Sequence, residues 1–274
     1  MSNKVDVAIV MVPYNKISDL ASVRKAMDVS TLKTTFVLVD NASTHIDAAR
    51  LAHTFIENPI VVQRNRNWGF GSSCNLGAFQ IPEADAYFFL NPDTSLPDAC
   101  VIDKLYTFLK RERPRSGIVA PRLRYPDGSH QETCRRFPKW HTPLFQRSHW
   151  FATTAFGRRH ADWFLMRDDD LTIPRMVDWV QGSTLMVDGP LFREIGGFDE
   201  RYFMYFEDTD LCRRCWERGR PVYYLPHTEV IHEYGKASEN GKTGMMRTFL
   251  TNRMARVHGE SWMKYVWKWK KTQV

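Results

Sequence analysis

Three carboxylates within four positions, Glu207, Asp208 and Asp210, follow an aromatic-rich run, and a histidine comes later at His232. Carboxylates beside aromatic rings are costly to bury unless they are paired, hydrogen-bonded or used in a reaction. Chemistry at a sugar needs such groups: a base for a hydroxyl, a metal site for a phosphate and a flat apolar surface for a ring. The segment 196–232 therefore predicts an enzyme.

Polar residues also follow the ends of three predicted strands. Asn15, Asp40 and Asp93 each come just after a run of β-branched or aromatic residues. Because ligands of parallel α/β sheets bind at the carboxyl ends of the strands, we expect these three residues to share one ligand edge. Polar residues also punctuate loops, so any one of them alone is equally typical of a turn.

The elements that must hold these residues alternate between strands and helices. We predict strands over 5–12, 35–39, 60–63, 86–90, 117–120 and 222–225, and helices over 17–27, 47–56, 74–80, 99–111 and 209–218. This alternation is typical of an α/β domain with a largely parallel sheet. Residues 122–175 are less regular and proline-rich, which predicts loops and short helices beside a cleft, and 177–187 returns to a strand-like pattern.

The composition is that of an ordinary globular protein, with 274 residues of which 43% are hydrophobic and 25% charged. That length is enough to bury a full core. The N-terminal apolar run is too short for a signal peptide, and no run reaches the roughly 18 apolar residues of a membrane span, so we expect a cytoplasmic or peripheral protein. The five cysteines are an odd number without an export signal, which predicts reduced thiols.

The C-terminal stretch interleaves aromatic and basic residues. Its members are Trp262, Tyr265, Val266, Trp267 and Trp269 with Lys264, Lys268, Lys270 and Lys271. Tryptophan and lysine in a short helix suit the boundary between lipid headgroups and acyl chains. A helix docked on the domain by its tryptophan face, with solvated lysines outside, fits the same pattern. The net charge of +7 indicates a polyanionic partner without choosing its kind.

Seven short motifs occur in an order that resembles the inverting, family-2 GT-A glycosyltransferases. They are PYN at 13–15, VDNAS at 39–43, NWGFGSSCN at 67–75, FLNPDTSLP at 89–97, APRLRYPDGS at 120–129, WVQGSTLMV at 179–187 and GGFDERYFMYFEDTDLC at 196–212. The most similar subgroup is the bacterial rhamnosyltransferases of O-antigen and cell-wall polysaccharide assembly. The resemblance implies a Rossmann-like, mostly parallel sheet flanked by helices, with a GT-A domain over 1–235 and a helical, basic-aromatic extension over 236–274.

The resemblance places the early motifs at the nucleotide-sugar donor. It implies donor-binding roles for Pro13, Tyr14, Asn15, Asp40, Asn67, Gly69, Phe70, Asn75, Asn91 and Asp93. An aspartate such as Asp40 can accept hydrogen bonds from a base N–H or ribose hydroxyls, and the helix start after the glycines of 67–71 can face a phosphate. The alternative for these residues is a set of ordinary strand-ending and glycine turns.

The resemblance also implies a divalent metal, Mn²⁺ or Mg²⁺, held by Asp93 and His232. Asn91 stands where the family has the first carboxylate of its Asp-x-Asp motif. Asp93 would therefore bind the ion together with oxygens of the donor diphosphate, and partial metal dependence would fit. An imidazole ligand would favour Mn²⁺. The rival acidic run at 168–170 follows no predicted strand, and we interpret it as a solvated loop.

Asp208 matches the catalytic base of the family, and Glu207 is the second candidate. Inverting transfer needs one carboxylate to take the proton of the acceptor hydroxyl. The resemblance further implies acceptor-binding roles for Trp179, Gly182, Asp199 and Glu207. Asp208 could instead cap the helix predicted from residue 209, and Trp179 could belong to the core. Four arginines could neutralise the charge of the diphosphate, or they could be solvated surface residues. They are Arg122, Arg124, Arg135 and Arg136.

The reaction that the resemblance implies is transfer of L-rhamnose from dTDP-β-L-rhamnose, with inversion, to a hydroxyl of a polyprenyl-diphosphate-linked or oligosaccharide acceptor. The C-terminal stretch would then hold the enzyme peripherally at the cytoplasmic face of the inner membrane. Alternatives are another donor such as a UDP-hexose, a sugar-nucleotide nucleotidyltransferase, and a non-enzymatic protein that binds a membrane surface or nucleic acid. We expect no nucleic-acid partner, since no base-recognition motif is present. The sequence leaves open the oligomeric state and the choice of metal.

Overall fold

The computed structural model describes residues 4–142, 153–233 and 252–270. The first part of the chain forms the parallel strands β1 (Val7–Met11), β2 (Thr34–Asp40), β3 (Ile60–Gln63) and β4 (Ala86–Leu90). They lie in the order β3-β2-β1-β4, and neighbouring strands are parallel. All residues of β1 and β4 are buried. Because both faces of these strands are covered, their sequences are continuous apolar runs.

Helices cover both faces of this parallel unit. They are α1 (Leu20–Val29), α2 (Ala48–Phe55), α3 (Phe70–Phe79) and α4 (Val101–Arg111). On one face Ile9 and Met11 share a core with residues of α1, α2 and α4. On the other face Ala8 and Val10 share a core with residues of α3. The Asp19 side chain caps α1 by accepting a hydrogen bond from the Ser22 N–H.

The second part of the chain extends the same sheet with strands of both directions. They are β5 (Thr94–Ser95), β6 (Ile118–Arg124), β7 (His130–Gln131), β8 (Cys134–Arg135), β9 (Arg175–Val177), β10 (Trp179–Val180), β11 (Thr184–Asp188) and β12 (Val222–His232). The order continues as β4-β11-β6-β12-β5, with β7 beside β6 and β9 beside β12. β11 is antiparallel to both of its neighbours, whereas β12 is parallel to β6. β8 and β10 form a separate two-stranded sheet.

Four further helices complete the described fold. They are α5 (Ala155–Phe164), α6 (Gly189–Glu194), α7 (Glu207–Glu217) and α8 (Arg253–Trp269). Helix α8 buries Tyr265 and Trp269 in a small core together with Tyr202. In the part of the chain that the structure describes, no helix has the length and apolar character needed to cross a membrane. The division of the chain at 235 stays a prediction.

Some element boundaries differ from the sequence-based prediction for physical reasons. β12 runs to His232 instead of ending at residue 225, because a register shift between Leu225 and Glu229 carries the strand past Pro226 while it stays paired with β6. The strand-like stretch 177–187 is divided among the end of β9, β10 and β11.

Two helices begin earlier than predicted. α3 begins at Phe70 instead of residue 74, because Gly69 with φ of +89° acts as its cap and the glycines around it do not form a loop. α7 begins at Glu207, so Asp208 lies inside its first turn and does not cap it.

Candidate active site

The carboxyl ends of β1, β2 and β4 meet at one edge of the sheet, which we call the donor edge. Met11 pairs with Leu38 on one side and with Leu90 on the other. Asp40 is buried there, and its Oδ1 accepts a hydrogen bond from the Ser43 N–H at 3.0 Å. The carboxylate therefore also closes the turn after β2, as the turn interpretation expects.

Asn15 fastens the loop after β1 to the loop after β2. Its Oδ1 accepts hydrogen bonds from the N–H groups of Thr44 at 2.6 Å and His45 at 2.9 Å. Its backbone is left-handed, with φ of +61°. Neighbouring Tyr14 is 52% exposed, so its ring is available at this edge for a planar ligand. Asn15 is thus a structural link beside a free aromatic surface.

Asn41, which was not among the predicted site residues, joins the donor edge to the glycine loop. Its Nδ2 donates to Asn67 Oδ1 at 2.9 Å and to the Gly69 carbonyl at 3.1 Å, and its Oδ1 accepts the Trp68 N–H at 3.0 Å. Its own N–H donates to the Pro13 carbonyl at 3.0 Å. Because Asn41 lies within the VDNAS motif, the sequence carried a signal for it.

Gly69 and Phe70 are held against the segment that precedes the carboxylates. A Cβ on Gly69 would lie 2.0 Å from the Phe203 carbonyl oxygen, so only glycine fits there. The Phe70 N–H donates to that same carbonyl at 3.0 Å. The Phe70 ring meets Phe198 edge-on, with ring centroids 6.0 Å apart. The glycine loop therefore packs directly on the second half of the site.

Asn75 makes a second connection between the two halves. Its Oδ1 accepts the Phe198 N–H at 2.8 Å, and its Nδ2 donates to the Phe198 carbonyl at 2.9 Å and to Glu200 Oε1 at 3.0 Å. These hydrogen bonds occupy the amide that the resemblance assigns to the donor. Its role in donor binding stays a prediction.

Asp93 and His232, the predicted metal ligands, are neighbours in the fold, and we call them the metal pair. Asp93 Oδ1 lies 3.3 Å from His232 Nε2. His232 is buried, and its Nδ1–H donates to Gln131 Oε1 at 3.0 Å. Gln131 lies on β7, and no sequence pattern indicated it.

The metal pair has the chemistry of a cation site. The bond from Nδ1–H to Gln131 turns His232 Nε2 toward Asp93, and metal-binding histidines are oriented in the same way by their other ring nitrogen. Asp93 Oδ1 is buried and has no hydrogen-bond partner among the described residues. At 3.3 Å the imidazole nitrogen and the carboxylate oxygen are close enough to share a positive charge, which a proton on Nε2 or a bound cation can supply. Within the described ranges no group of three or more His, Cys, Asp or Glu side chains is placed to hold an ion.

Asp208 is held by backbone donors next to Gly182. Its Oδ2 accepts the Gly182 N–H at 2.8 Å, and its Oδ1 accepts the Thr209 N–H at 2.6 Å. Burial raises the pKa of Asp208, while these N–H groups and the positive charge of Arg135 act in the opposite direction. The result is a fixed carboxylate whose proton affinity is increased, as a general base requires.

Glu207 has a different environment from its neighbour Asp208. It is buried close to Gly71, and its Oε2 has no hydrogen-bond partner among the described residues. Burial, followed by the charge of Asp208, raises the pKa of Glu207 well above its ordinary value. Asp208 is therefore the carboxylate that ionises first, and the geometry favours it over Glu207 as the base.

One backbone hydrogen bond connects the segment that binds the base to the segment that carries Asp93. The Asn91 N–H donates to the Ser183 carbonyl at 2.8 Å, and Ser183 directly follows the Gly182 that binds Asp208. Asp93 lies two positions after Asn91 in the chain, with Pro92 between them. The predicted base, the predicted Asn-Pro-Asp motif and Gly182 thus form one corner of the molecule, which we call the catalytic corner.

The other predicted acceptor residues lie in two different places. Trp179 is 9% exposed, its Nε1–H donates to the Arg136 carbonyl at 2.9 Å, and the Arg135 guanidinium lies 5.0 Å from its ring centroid. Asp199 instead forms ion pairs with Arg201 and Lys268. Those partners hold the pKa of Asp199 well below its usual range. Trp179 thus lies near the base, whereas Asp199 anchors α8.

Most of the arginines considered for the diphosphate are paired with carboxylates. Arg122 and Arg124 form ion pairs with Glu229. Arg136 pairs with Asp169 at 2.8 Å, and Asp169 also pairs with Arg175. The interpretation of 168–170 as a solvated loop is therefore wrong for Asp169, because this carboxylate joins two segments of the irregular region.

Comparison with known proteins identifies the family. The model of glycosyl transferase family group 2 matches residues 89–267. N-acetylglucosaminyl-diphospho-decaprenol L-rhamnosyltransferase of Mycobacterium tuberculosis is 32% identical over 224 residues, which are 75% of this chain and 68% of that protein. Rhamnosyltransferase WbbL of Escherichia coli K12 is 27% identical over 174 residues, which are 60% of this chain and 61% of that protein.

A solved structure supports the same fold. The crystal structure of GalNAc-T7 with UDP, GalNAc and Mn²⁺ superimposes with a TM-score of 0.61 at 15% identity, over 91% of this chain and 48% of that one. This likeness concerns the fold, and it confirms the predicted GT-A architecture. The family match favours the glycosyltransferase over the nucleotidyltransferase and the non-enzymatic alternatives. The chain belongs to glycosyl transferase family group 2.

Proposed function

We propose that this protein transfers L-rhamnose from dTDP-β-L-rhamnose, with inversion, to a hydroxyl of a polyprenyl-diphosphate-linked sugar. The observation that carries the proposal is the catalytic corner, where a carboxylate fixed by two N–H groups is linked through Gly182, Ser183 and Asn91 to the metal pair. The names of the relatives from M. tuberculosis and E. coli support rhamnose as the sugar. The first of these names also supports a lipid-linked acceptor.

Asp208 takes the proton of the acceptor hydroxyl in this proposal. The N–H groups of Gly182 and Thr209 fix its two oxygens, so the carboxylate is oriented before the acceptor arrives. As the proton moves to Asp208, the acceptor oxygen attacks the anomeric carbon on the face opposite to the leaving dTDP. Burial and the charge of Asp208 raise the pKa of Glu207, so ionisation of a second carboxyl group beside the base is disfavoured.

Asp93 and His232 would hold the divalent ion together with the donor diphosphate. When bound, Mn²⁺ or Mg²⁺ would neutralise the charge of the leaving diphosphate. Gln131 fixes the histidine ring and the position of its proton. Among the described residues Asp93 and His232 are the two candidate ligands, so oxygens of the diphosphate would complete the site.

The outer face of α8 would hold the enzyme at the membrane that carries such an acceptor. Met263 and Trp267 are 62% and 67% exposed, and Trp140 beside them is 69% exposed. They belong to a shallow groove of about 330 Å³ lined by Trp140, Trp262, Met263, Val266, Trp267 and Lys270. Exposed tryptophans with a lysine match the headgroup region of an anionic bilayer, which supports a peripheral position on the cytoplasmic face of the inner membrane.

Calorimetry and turnover together test the proposed reaction. We expect purified protein to bind dTDP-rhamnose in preference to UDP-galactose, UDP-GlcNAc and GDP-mannose, and more tightly with Mn²⁺. Asp208→Asn should lower kcat by about 10²–10⁴-fold while donor affinity stays within twofold. Glu57→Gln, an exposed carboxylate with a 74% exposed side chain, is the matched control and should keep full activity. Preference for another nucleotide sugar would exclude rhamnose as the transferred sugar. Full turnover by Asp208→Asn would exclude Asp208 as the catalytic base.

Vesicle co-sedimentation tests the membrane proposal separately. The double variant Met263→Ala/Trp267→Ala should bind anionic vesicles at least about tenfold more weakly, because it removes two large side chains from the lipid contact. Phe79→Ala removes a 76% exposed ring on α3 and serves as the control. Equal binding by all three proteins would mean that α8 does not contact lipid.

A further inference from the structure

The backbone directly before the catalytic carboxylates has an unusual conformation. Tyr205 and Phe206 are consecutive residues with φ of +69° and +68°. Phe206 is also the N-cap residue of α7, and Glu207 and Asp208 follow it. The left-handed region is unfavourable for side chains with a Cβ, and two such residues in succession persist only where the surroundings impose the conformation.

Aromatic residues of α8 surround this left-handed turn. The Phe206 ring lies 5.2 Å from that of His258, 5.5 Å from Trp262 and 5.4 Å from Tyr265, measured between centroids. The Tyr205 ring lies 5.0 Å from that of His258. All three of these contacting residues lie on one helix. The side chains that impose the conformation on the turn therefore belong to α8.

Polar groups of α8 hold the same segment before the carboxylates. Ser261 Oγ donates to the Met204 carbonyl at 2.8 Å, and Lys264 Nζ donates to the Arg201 carbonyl at 2.8 Å. Carbonyls at chain turns normally bind water or nearby backbone, so contacts from a distant helix fix the path of the chain.

The end of α8 also holds the segment after the carboxylates. Trp269 Nε1–H donates to Asp210 Oδ1 at 2.9 Å, and Lys268 Nζ lies 2.7 Å from the same oxygen. Asp210 is fully buried and pairs with Arg214 as well. The carboxylates at 207–208 thus lie between two segments that α8 holds.

We propose that α8 is a positioning element for the catalytic base: Ser261 and Tyr265 hold the segment before the carboxylates and Trp269 holds Asp210 after them, so that the Asp208 carboxylate meets the Gly182 N–H. None of these three side chains is assigned to the substrate. The inference rests on the proposed function of Asp208. It gives the C-terminal helix a role in the reaction that is independent of any contact with lipid.

Conservative variants on the inner face of α8 test this role. Ser261→Ala/Trp269→Phe removes two hydrogen bonds and keeps an aromatic ring at position 269, although that ring is smaller. We expect kcat with a soluble acceptor to fall at least tenfold, with the Kd for dTDP-rhamnose unchanged within twofold. Glu260→Ala, an exposed position on the same helix, is the matched control. If the double variant does not fold, Ser261→Ala alone is measured in the same way.

The pH profile distinguishes positioning from a general loss of structure. The hydrogen bond from Gly182 lowers the pKa of Asp208, so weakening it should move the acidic limb of the kcat profile to higher pH. The charged groups that face Asp208 are Arg135 on β8 and Glu207 on α7, and neither is changed. An unchanged kcat together with an unchanged acidic limb of the pH profile would overturn the proposal. Losses of kcat and donor affinity by the same factor would overturn it as well. Turnover by Asp208→Asn would instead refute the proposed function itself.

Discussion

The donor edge and the catalytic corner use their polar side chains in opposite ways. At the donor edge, and in the glycine loop and α3 that adjoin it, the asparagine side chains donate or accept hydrogen bonds within the protein; these residues are Asn15, Asn41, Asn67 and Asn75. At the catalytic corner Asp93 Oδ1 and Glu207 Oε2 are buried, and neither has a hydrogen-bond partner among the described residues.

This difference indicates that the donor edge contributes the shape of the site, whereas the catalytic corner contributes its reactive groups. A buried polar atom without a partner is costly and is kept where a ligand, an ion or a proton completes it. The donor edge offers a preformed surface whose own groups are already satisfied. We therefore expect changes at the donor edge to alter stability, and changes at the catalytic corner to alter ligand affinity and pH dependence.

The strongest test at the donor edge is Gly69→Ala. The new methyl group would lie 2.0 Å from the Phe203 carbonyl oxygen, and φ is +89°. We expect the free energy of unfolding to fall by more than about 3 kcal/mol, measured by urea denaturation. Gly128→Ala is the control, because φ there is +82° but no atom lies within 4 Å. Its cost should be only about 1 kcal/mol, and equal costs would exclude the close contact as the cause.

A second test removes the amide that connects the donor edge to the glycine loop. Asn41→Ala loses the hydrogen bonds to Asn67, Trp68 and Gly69. We expect a loss of about 2 kcal/mol in the free energy of unfolding, since buried partners are left unpaired. Asn65→Ala removes one exposed hydrogen bond, to Trp68 Nε1, and should cost far less. A large loss of activity without loss of stability would contradict the proposed contrast.

At the catalytic corner, Gln131→Leu removes the acceptor that orients His232. The histidine could then change its tautomer, and we expect the affinity for Mn²⁺ in the presence of dTDP to fall about tenfold in calorimetry. Gln80→Leu, where the amide donates only to the Leu76 carbonyl, is the control. Unchanged Mn²⁺ affinity in Gln131→Leu would argue against His232 as a ligand.

The smallest expected effect concerns Glu207→Gln. Burial raises the pKa of Glu207 in the folded protein, so above pH of about 4.5 the unfolded chain releases its proton first and the wild type loses stability as pH rises. The glutamine variant escapes this loss. Its advantage in unfolding free energy should be absent near pH 4 and reach on the order of 1 kcal/mol at neutral pH. An advantage that does not grow with pH would mean that the carboxyl group is ionised when folded.

The sequence predicted the parallel unit well because its signals are local. Strands β3 and β4 were predicted with the bounds that the structure has, since apolar segments end at polar turns. The pairing of Asp93 with His232 also agrees with the ordered motifs. Their function as metal ligands stays a prediction.

Features that depend on distant contacts could not be predicted. The length of β12 depends on a register shift against β6 that passes Pro226. The role of Gln131 depends on β7 and β12 both pairing with β6, which brings Gln131 to His232 although the two residues are 101 positions apart. Likewise, Asp199 forms an ion pair with Lys268 of α8, and no local sequence pattern indicated this contact between distant residues.

The interlocking of the two halves has a consequence for biosynthesis. Asn75 binds Phe198, which lies 123 residues further along the chain, and Gln131 meets His232 only when β12 has been added to the sheet. During translation the parallel unit emerges first, whereas the metal pair cannot form before His232 leaves the ribosome. Nascent chains therefore cannot bind an ion through this pair, and tight Mn²⁺ binding would report that a molecule has been synthesised and folded through β12.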